Sequence, residues 1–178
     1  MTTYSFELHF LAQPGEETID ALYEAGWDDA LVSWDPDAGG PGMAAFDREA
    51  DLAVDAVTSA IRQGRSAGIE LTGITEDLVA LSEVAERVER SFSAVDHWAA
   101  GRRGPGDFPE PRVRRPRVSL YSWAEIVMWL YRNGLAQMSA ADIEIARVCE
   151  VTDAMIRAHR LESNLSTAER RLISRAVA

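Results

Sequence analysis

The hydrophobic pattern of residues 1 to 75 switches back and forth between period 2 and period 3.6, and the order of those switches constrains the fold more than any other feature. In "YSFELHF" the apolar Tyr4, Phe6, Leu8 and Phe10 alternate with the polar Ser5, Glu7 and His9, as in a strand with one face buried. "PGEETIDALYEAG" follows, with Ile19, Leu22 and Tyr23 at helical spacing and Gly26 as a stop. "ALVSWD" and "MAAFDRE" read as two short strands joined by a loop at "PDAGGPG". "DLAVDAVTSAIRQGRSAG" carries Leu52, Ala53, Ala56, Val57, Ala60 and Ile61 on one stripe, and "IELTGI" closes the series.

Strand, helix, strand, strand, helix, strand is the split βαβ order of a ferredoxin-like domain, an α+β sandwich with both helices on one face of a four-stranded sheet. Residues 1 to 75 are assigned to it, with the linker at "GITED", 73 to 77. The charge is distributed as unevenly as the periodicity. Residues 1 to 75 hold 14 acidic and 3 basic side chains, 76 to 130 hold 9 and 8, and 131 to 178 hold 6 and 7. The net charge of -11 therefore resides in the first segment. Its bland role is a structural or dimerising unit; a sharper one is that it competes with DNA for basic groups elsewhere, or recruits a basic protein partner.

Residues 76 to 134 differ in character. "EDLVALSEVAERVERSFSAVDHWAAGRRG" reads as two short helices with a tight break, Ser82 and Ser91 being able to cap their starts. Prolines at 109, 111 and 116 separate the runs "RVR" and "RVSLY", consistent with a β-hairpin, and Ser122 with Glu125 caps a third helix that ends at Asn133 and Gly134. Trp98, Trp123 and Trp129 are expected in the core. The region from 135 to 178 reads as two helices opened by Ser139 with Asp142 and by Ser166 with Glu169. Its stripe of Ile145, Val148, Cys149, Met155 and Ile156 must bury against the preceding unit or a second copy.

"LVALSEVAERVERSFSAVDHWAAGRRGPGDFPEPRV", followed by "LYSWAEIVMWL", resembles the winged helix-turn-helix of the MerR, excisionase and AlpA superfamily of small bacterial DNA-binding proteins, over about residues 78 to 130. The shared features are the serine-led first helix, the second helix ending near a tryptophan, the "FPEP", the basic hairpin and the "WAE" helix. The whole arrangement is similar to helix-turn-helix regulators of actinobacterial type. With the winged helix that the resemblance implies, the chain is expected to be an N-terminal ferredoxin-like domain followed by a winged helix and a C-terminal helical tail. The resemblance implies double-stranded DNA as partner and transcriptional regulation as function, or else an architectural or recombination-directionality role; a homodimer is expected because one such small unit buries too little surface for tight specificity. The second helix, with Arg90, Ser91, Phe92, Ser93, Asp96 and His97, would face the major groove. Arg102, Arg103, Arg112, Arg114, Arg115 and Arg117 would grip phosphate as one continuous cationic ridge. Residues 87 to 117 hold 8 arginines against 4 acids, a positive island in an acidic chain.

Three residues depart from the superfamily's habits. Glu89 stands where the turn holds glycine and is expected in a left-handed conformation. Phe92 and Asp96 stand where basic or amide side chains are common; Phe92 suits a thymine methyl and Asp96 a cytosine amine. These favour the alternative of a protein-interaction module, antitoxin- or adaptor-like, whose winged helix no longer binds DNA. Other classes find little support. Asp28, Asp29, Asp35 and Asp37 lack calcium-loop spacing, and Cys149 with three scattered histidines makes no zinc pattern, so neither metal nor cofactor is expected. No nucleophile comes with a base and no glycine-rich phosphate loop occurs, so the chain is not expected to be an enzyme. No apolar run is long enough to span a bilayer and no basic leader opens the chain; a cytoplasmic location without membrane contact is expected.

Overall fold

The computed structural model describes residues 1–34, 41–75, 78–135 and 138–177. It is an α+β structure with two antiparallel sheets and seven helices among the described residues. The first sheet contains β1 (Thr2–Leu11), β2 (Ala30–Trp34), β3 (Pro41–Ala50) and β4 (Glu70–Ile74) in the order β2-β3-β1-β4. All neighbours are antiparallel, with Phe6 opposite Phe46 and Leu8 opposite Ile74. β1 and β2 therefore run parallel across β3, connected through α1 (Glu16–Glu24), and β3 and β4 run parallel across β1, connected through α2 (Ala53–Ser66).

The alternation read in β1 sends Tyr4, Phe6, Leu8 and Phe10 into the core. There Phe6 stacks on Phe46 at 5.0 Å, and Trp27 meets Phe46 and Phe10 edge to face. The Trp27 indole N–H donates to the Ala60 carbonyl at 2.9 Å, so the ring is buried without an orphaned donor. The small residues Ala53, Ala56, Ala60 and Gly64 let α2 approach this aromatic layer closely; a Cβ on Gly64 would stand 2.6 Å from the Trp27 ring.

Several expectations are corrected here. Pro41 and Gly42, read as loop, begin β3, where proline is tolerated as the first residue of a strand. Of the apolar positions read in the first helix only Leu22 is buried, while Ile19 is 46% and Tyr23 64% exposed. Gly73 and Ile74, read as linker, belong to β4, and the Thr75 N–H donates to the Glu7 carbonyl at 2.9 Å. Asp35 and Asp37, and the rest of "GITED" at Glu76 and Asp77, lie outside the described residues.

The second sheet has the order β5-β7-β6, from β5 (Leu78–Val79), β6 (Val113–Arg115) and β7 (Val118–Ser122). Around it pack α3 (Leu81–Arg87), α4 (Phe92–Ala99) and α5 (Trp123–Arg132). Val79, Val84, Ala85, Val95, Tyr121, Ile126, Trp129 and Leu130 form its core, with Trp98, Phe108 and Trp123 packed against it. The Trp129 N–H donates to the Gly106 carbonyl at 2.8 Å, which fastens the long segment between α4 and the hairpin. Helix α5 starts and stops where the sequence indicates: the Ser122 hydroxyl accepts from the Glu125 N–H, and Gly134 past its end has φ 62°. Ser82 caps nothing; α3 begins one residue earlier, where the Glu83 carboxylate accepts from the Ala80 N–H at 2.7 Å.

The tail comprises α6 (Ala140–Glu162) and α7 (Thr167–Val177), each opened by its expected serine. Ile145, Val148 and Cys149 pack against the core of the first sheet and Ile156 is buried, whereas Met155 is 67% exposed. The stripe is thus used inside the chain, against the first unit, because β4 is an edge strand and needs a cover. Asp153 supplies it: buried beside Gly73, it accepts from the Ile74 N–H at 3.1 Å and is itself paired with Arg157 at 2.7 Å. Glu144 makes a second clasp, accepting from the Tyr4 hydroxyl and from the Ala53 N–H, both at 3.0 Å. No helix among the described residues is long and apolar enough to cross a membrane.

Candidate nucleic-acid interface

Helix α4 is set by both of its ends. The Ser91 hydroxyl accepts from the Ala94 N–H, which fixes the start, and only Val95 is buried, so the first turn is held from one side and open on the other. Ser91, Ser93 and Phe92 are exposed, the last by 56%. Before it Glu89 takes φ 51°, the left-handed conformation expected of that turn, and the Arg90 N–H closes the break by donating to the Ala85 carbonyl at 2.9 Å. A non-glycine residue here is strained. Glu89→Gly is expected to raise stability by about 0.5–1 kcal/mol, read as a higher urea midpoint; a lower midpoint would refute this account of the turn.

The twelve side chains read as a DNA surface are not brought together as one ridge. Phe92 and Asp96 share the wall of a groove with Arg115 and Arg117, which sit at the hairpin turn, together with Val118 and Tyr121. Arg90, Arg103, Arg115 and Arg117 are exposed and form no ion pair with the described residues. The other three are engaged by the chain's own carboxylates. Arg102 meets Asp96 at 3.2 Å and Arg114 meets Glu110 at 2.7 Å. Arg112 bridges Glu125 on α5, at 2.8 Å, and Glu150 on α6. His97 is half-buried, its carbonyl accepting from the backbone N–H of Arg102 and Arg103.

The expected continuous cationic ridge is therefore corrected to a divided one, for a simple reason. Each engaged guanidinium lies next to an acid that the fold brings near, and opposite charges within contact distance attract. The two exposed pairs, Arg102 with Asp96 and Arg114 with Glu110, are of a kind that contributes about 0–1 kcal/mol, so a phosphate exchanges for the carboxylate at little cost. Arg112 is held differently, by two acids, of which the Glu150 side chain is only 20% exposed. The acids of these pairs lie between residues 96 and 150.

Sequence reading missed Glu125 and Glu150 as partners of Arg112, since separations of 13 and 38 residues carry no local signal. It missed as well the Arg87 guanidinium, 4.8 Å over the Trp123 ring. Among the described residues no cluster of histidine, cysteine and acidic side chains suits a metal ion. Burial pushes the Cys149 thiol up from 9.0 to about 12. A raised folded-state value means that the stability owed to this thiol is present below pH 9 and is lost as pH rises toward 12. Native protein at pH 8 is expected to react with iodoacetamide at least tenfold more slowly than urea-unfolded protein, as counted by mass spectrometry; equal rates would contradict the burial.

Compared with protein-family models, with curated proteins and with solved structures, the chain matches none.

Proposed function

We propose that this chain is a DNA-binding transcriptional regulator acting as a homodimer on duplex DNA. In this reading residues 76 to 134 form a winged helix-turn-helix of the MerR and excisionase kind, and the first 75 residues a ferredoxin-like domain, consistent with the β2-β3-β1-β4 strand order. Helix α4 enters the major groove with Ser91, Phe92 and Ser93 leading, and the hairpin turn lays Arg115 and Arg117 on the flanking backbone. One observation carries the reading: Phe92, in the exposed first turn of α4, and the two arginines of the hairpin turn, which have no carboxylate partner among the described residues, line a single groove. Such a unit is small for tight specificity, which favours two copies on two half-sites.

The experiment is a titration of the full chain against duplex from its own upstream region and against unrelated duplex. Preferential binding to the first supports a regulator; equal binding to both supports an architectural role; no binding to either removes DNA as the partner. A second reading has its own observation. Arg102, Arg112 and Arg114 are neutralised internally and Asp96 sits on the groove wall, as suits a module that docks another protein instead.

A further inference from the structure

Helix α7 is built to be covered, yet none of its residues is buried. Leu172 is 66%, Ile173 49% and Val177 79% exposed, and at 100° per residue they share one side of the helix with Ala168 and Ala176. Arg171 and Arg175 flank one border of this band and Arg170 the other; Glu169, which falls within the band at its N-terminal end, folds back to accept from the Ser166 N–H at 2.8 Å. The result is an apolar strip between arginines.

The complementary surface lies on α1. Ile19 and Tyr23, one turn apart, are exposed beside the acidic row Glu16, Asp20 and Glu24. Leu22 alone on that helix enters the core, so the Ile19 and Tyr23 face needs a partner from elsewhere. Its own α7 stands at the wrong place. α6 and the turn into α7 flank the β4 edge, where Arg160 reaches Glu70, while α1 leads into β2 at the opposite edge of the sheet. Pairing of α7 with α7 across two copies would set Arg170, Arg171 and Arg175 against their equals, which is repulsive.

We propose that α7 of one copy docks on α1 of a second copy, and reciprocally, closing a dimer through two apolar contacts bordered by arginine–carboxylate pairs. Opposite charges select the partner helix and the apolar strip supplies the burial. This inference names the contact for the two-copy part of the proposed function. It is measured without DNA, so its failure leaves the duplex titration to stand or fall by itself.

The test is a charge exchange, followed by light scattering coupled to size exclusion at low salt. The unmodified chain is expected to run at twice its 19.6 kDa mass at tens of micromolar. Arg170→Glu/Arg171→Glu and, separately, Asp20→Arg/Glu24→Arg each set like charges together at both contacts, so each is expected to weaken association at least tenfold. Mixed in equal amounts, the two variants restore opposite charges at both contacts and are expected to recover the dimer. That recovery also shows that both variants are folded. A monomeric unmodified chain, a variant that still associates like the parent, or a mixture that stays monomeric would each overturn the proposal.

Discussion

Replacing Arg48 by alanine is expected to destabilise the first unit by about 3–5 kcal/mol, the cost typical of breaking a buried ion pair by removing one partner. The side chain is 9% exposed and every N–H of its guanidinium is used. Nε and Nη2 donate to the two Asp29 oxygens at 2.7 and 2.6 Å, Nη2 also to the Gly26 carbonyl at 2.9 Å, and Nη1 to Ser59 and Gln63 at 3.0 and 2.6 Å. The group also lies 4.9 Å from the centre of the Phe46 ring. Alanine would leave the Asp29 carboxylate, the Gln63 amide oxygen and the Gly26 carbonyl without their donor. Lysine is expected to rescue little, because an ammonium lacks the planar fork that reaches five acceptors. Urea unfolding decides this: a midpoint lowered at unchanged m-value is the expected result, and a loss below about 1 kcal/mol would show that the network holds little together.

Much of the fold was legible because it is written in short-range pattern. The alternation in "YSFELHF", the serine starts at Ser91, Ser122, Ser139 and Ser166 and the stop at Gly134 all act over a few residues, and all recur in the structure. What escaped depends on partners far along the chain. Arg48 reads in sequence as one charge in an acidic segment; its burial follows from Asp29, in the turn before β2, and Ser59 and Gln63, both on α2, converging on it. Strand β5 is only two residues long and exists through pairing with β7. The tail's apolar stripe was visible, but its target was not, since the need to cover the β4 edge is set by strand order. The candidate site shows the same division. Arg115 and Arg117 at the hairpin turn keep the exposure their sequence suggests, whereas Arg112 is captured by Glu150 from 38 residues away.

That division makes the arginines of the hairpin unequal, and the second large effect follows from it. Arg115→Ala and Arg117→Ala each remove a guanidinium with no carboxylate partner among the described residues, so in the proposed reading each costs a phosphate contact with nothing gained. Each is expected to weaken duplex binding roughly tenfold near 0.1 M salt and to flatten the salt dependence by about one unit. Arg112→Ala frees Glu125 and Glu150 instead, and its effect on the salt slope is expected to be small.

Duplex affinity measured across salt concentration for the unmodified chain and for Arg115→Ala/Arg117→Ala puts the reading to its most direct trial. The account requires log K to fall steeply with log salt in the first case, and the slope to shrink by about two in the second. A slope that is the same for both proteins, or binding that salt leaves unchanged, would mean that the groove between α4 and the hairpin does not face a phosphate backbone.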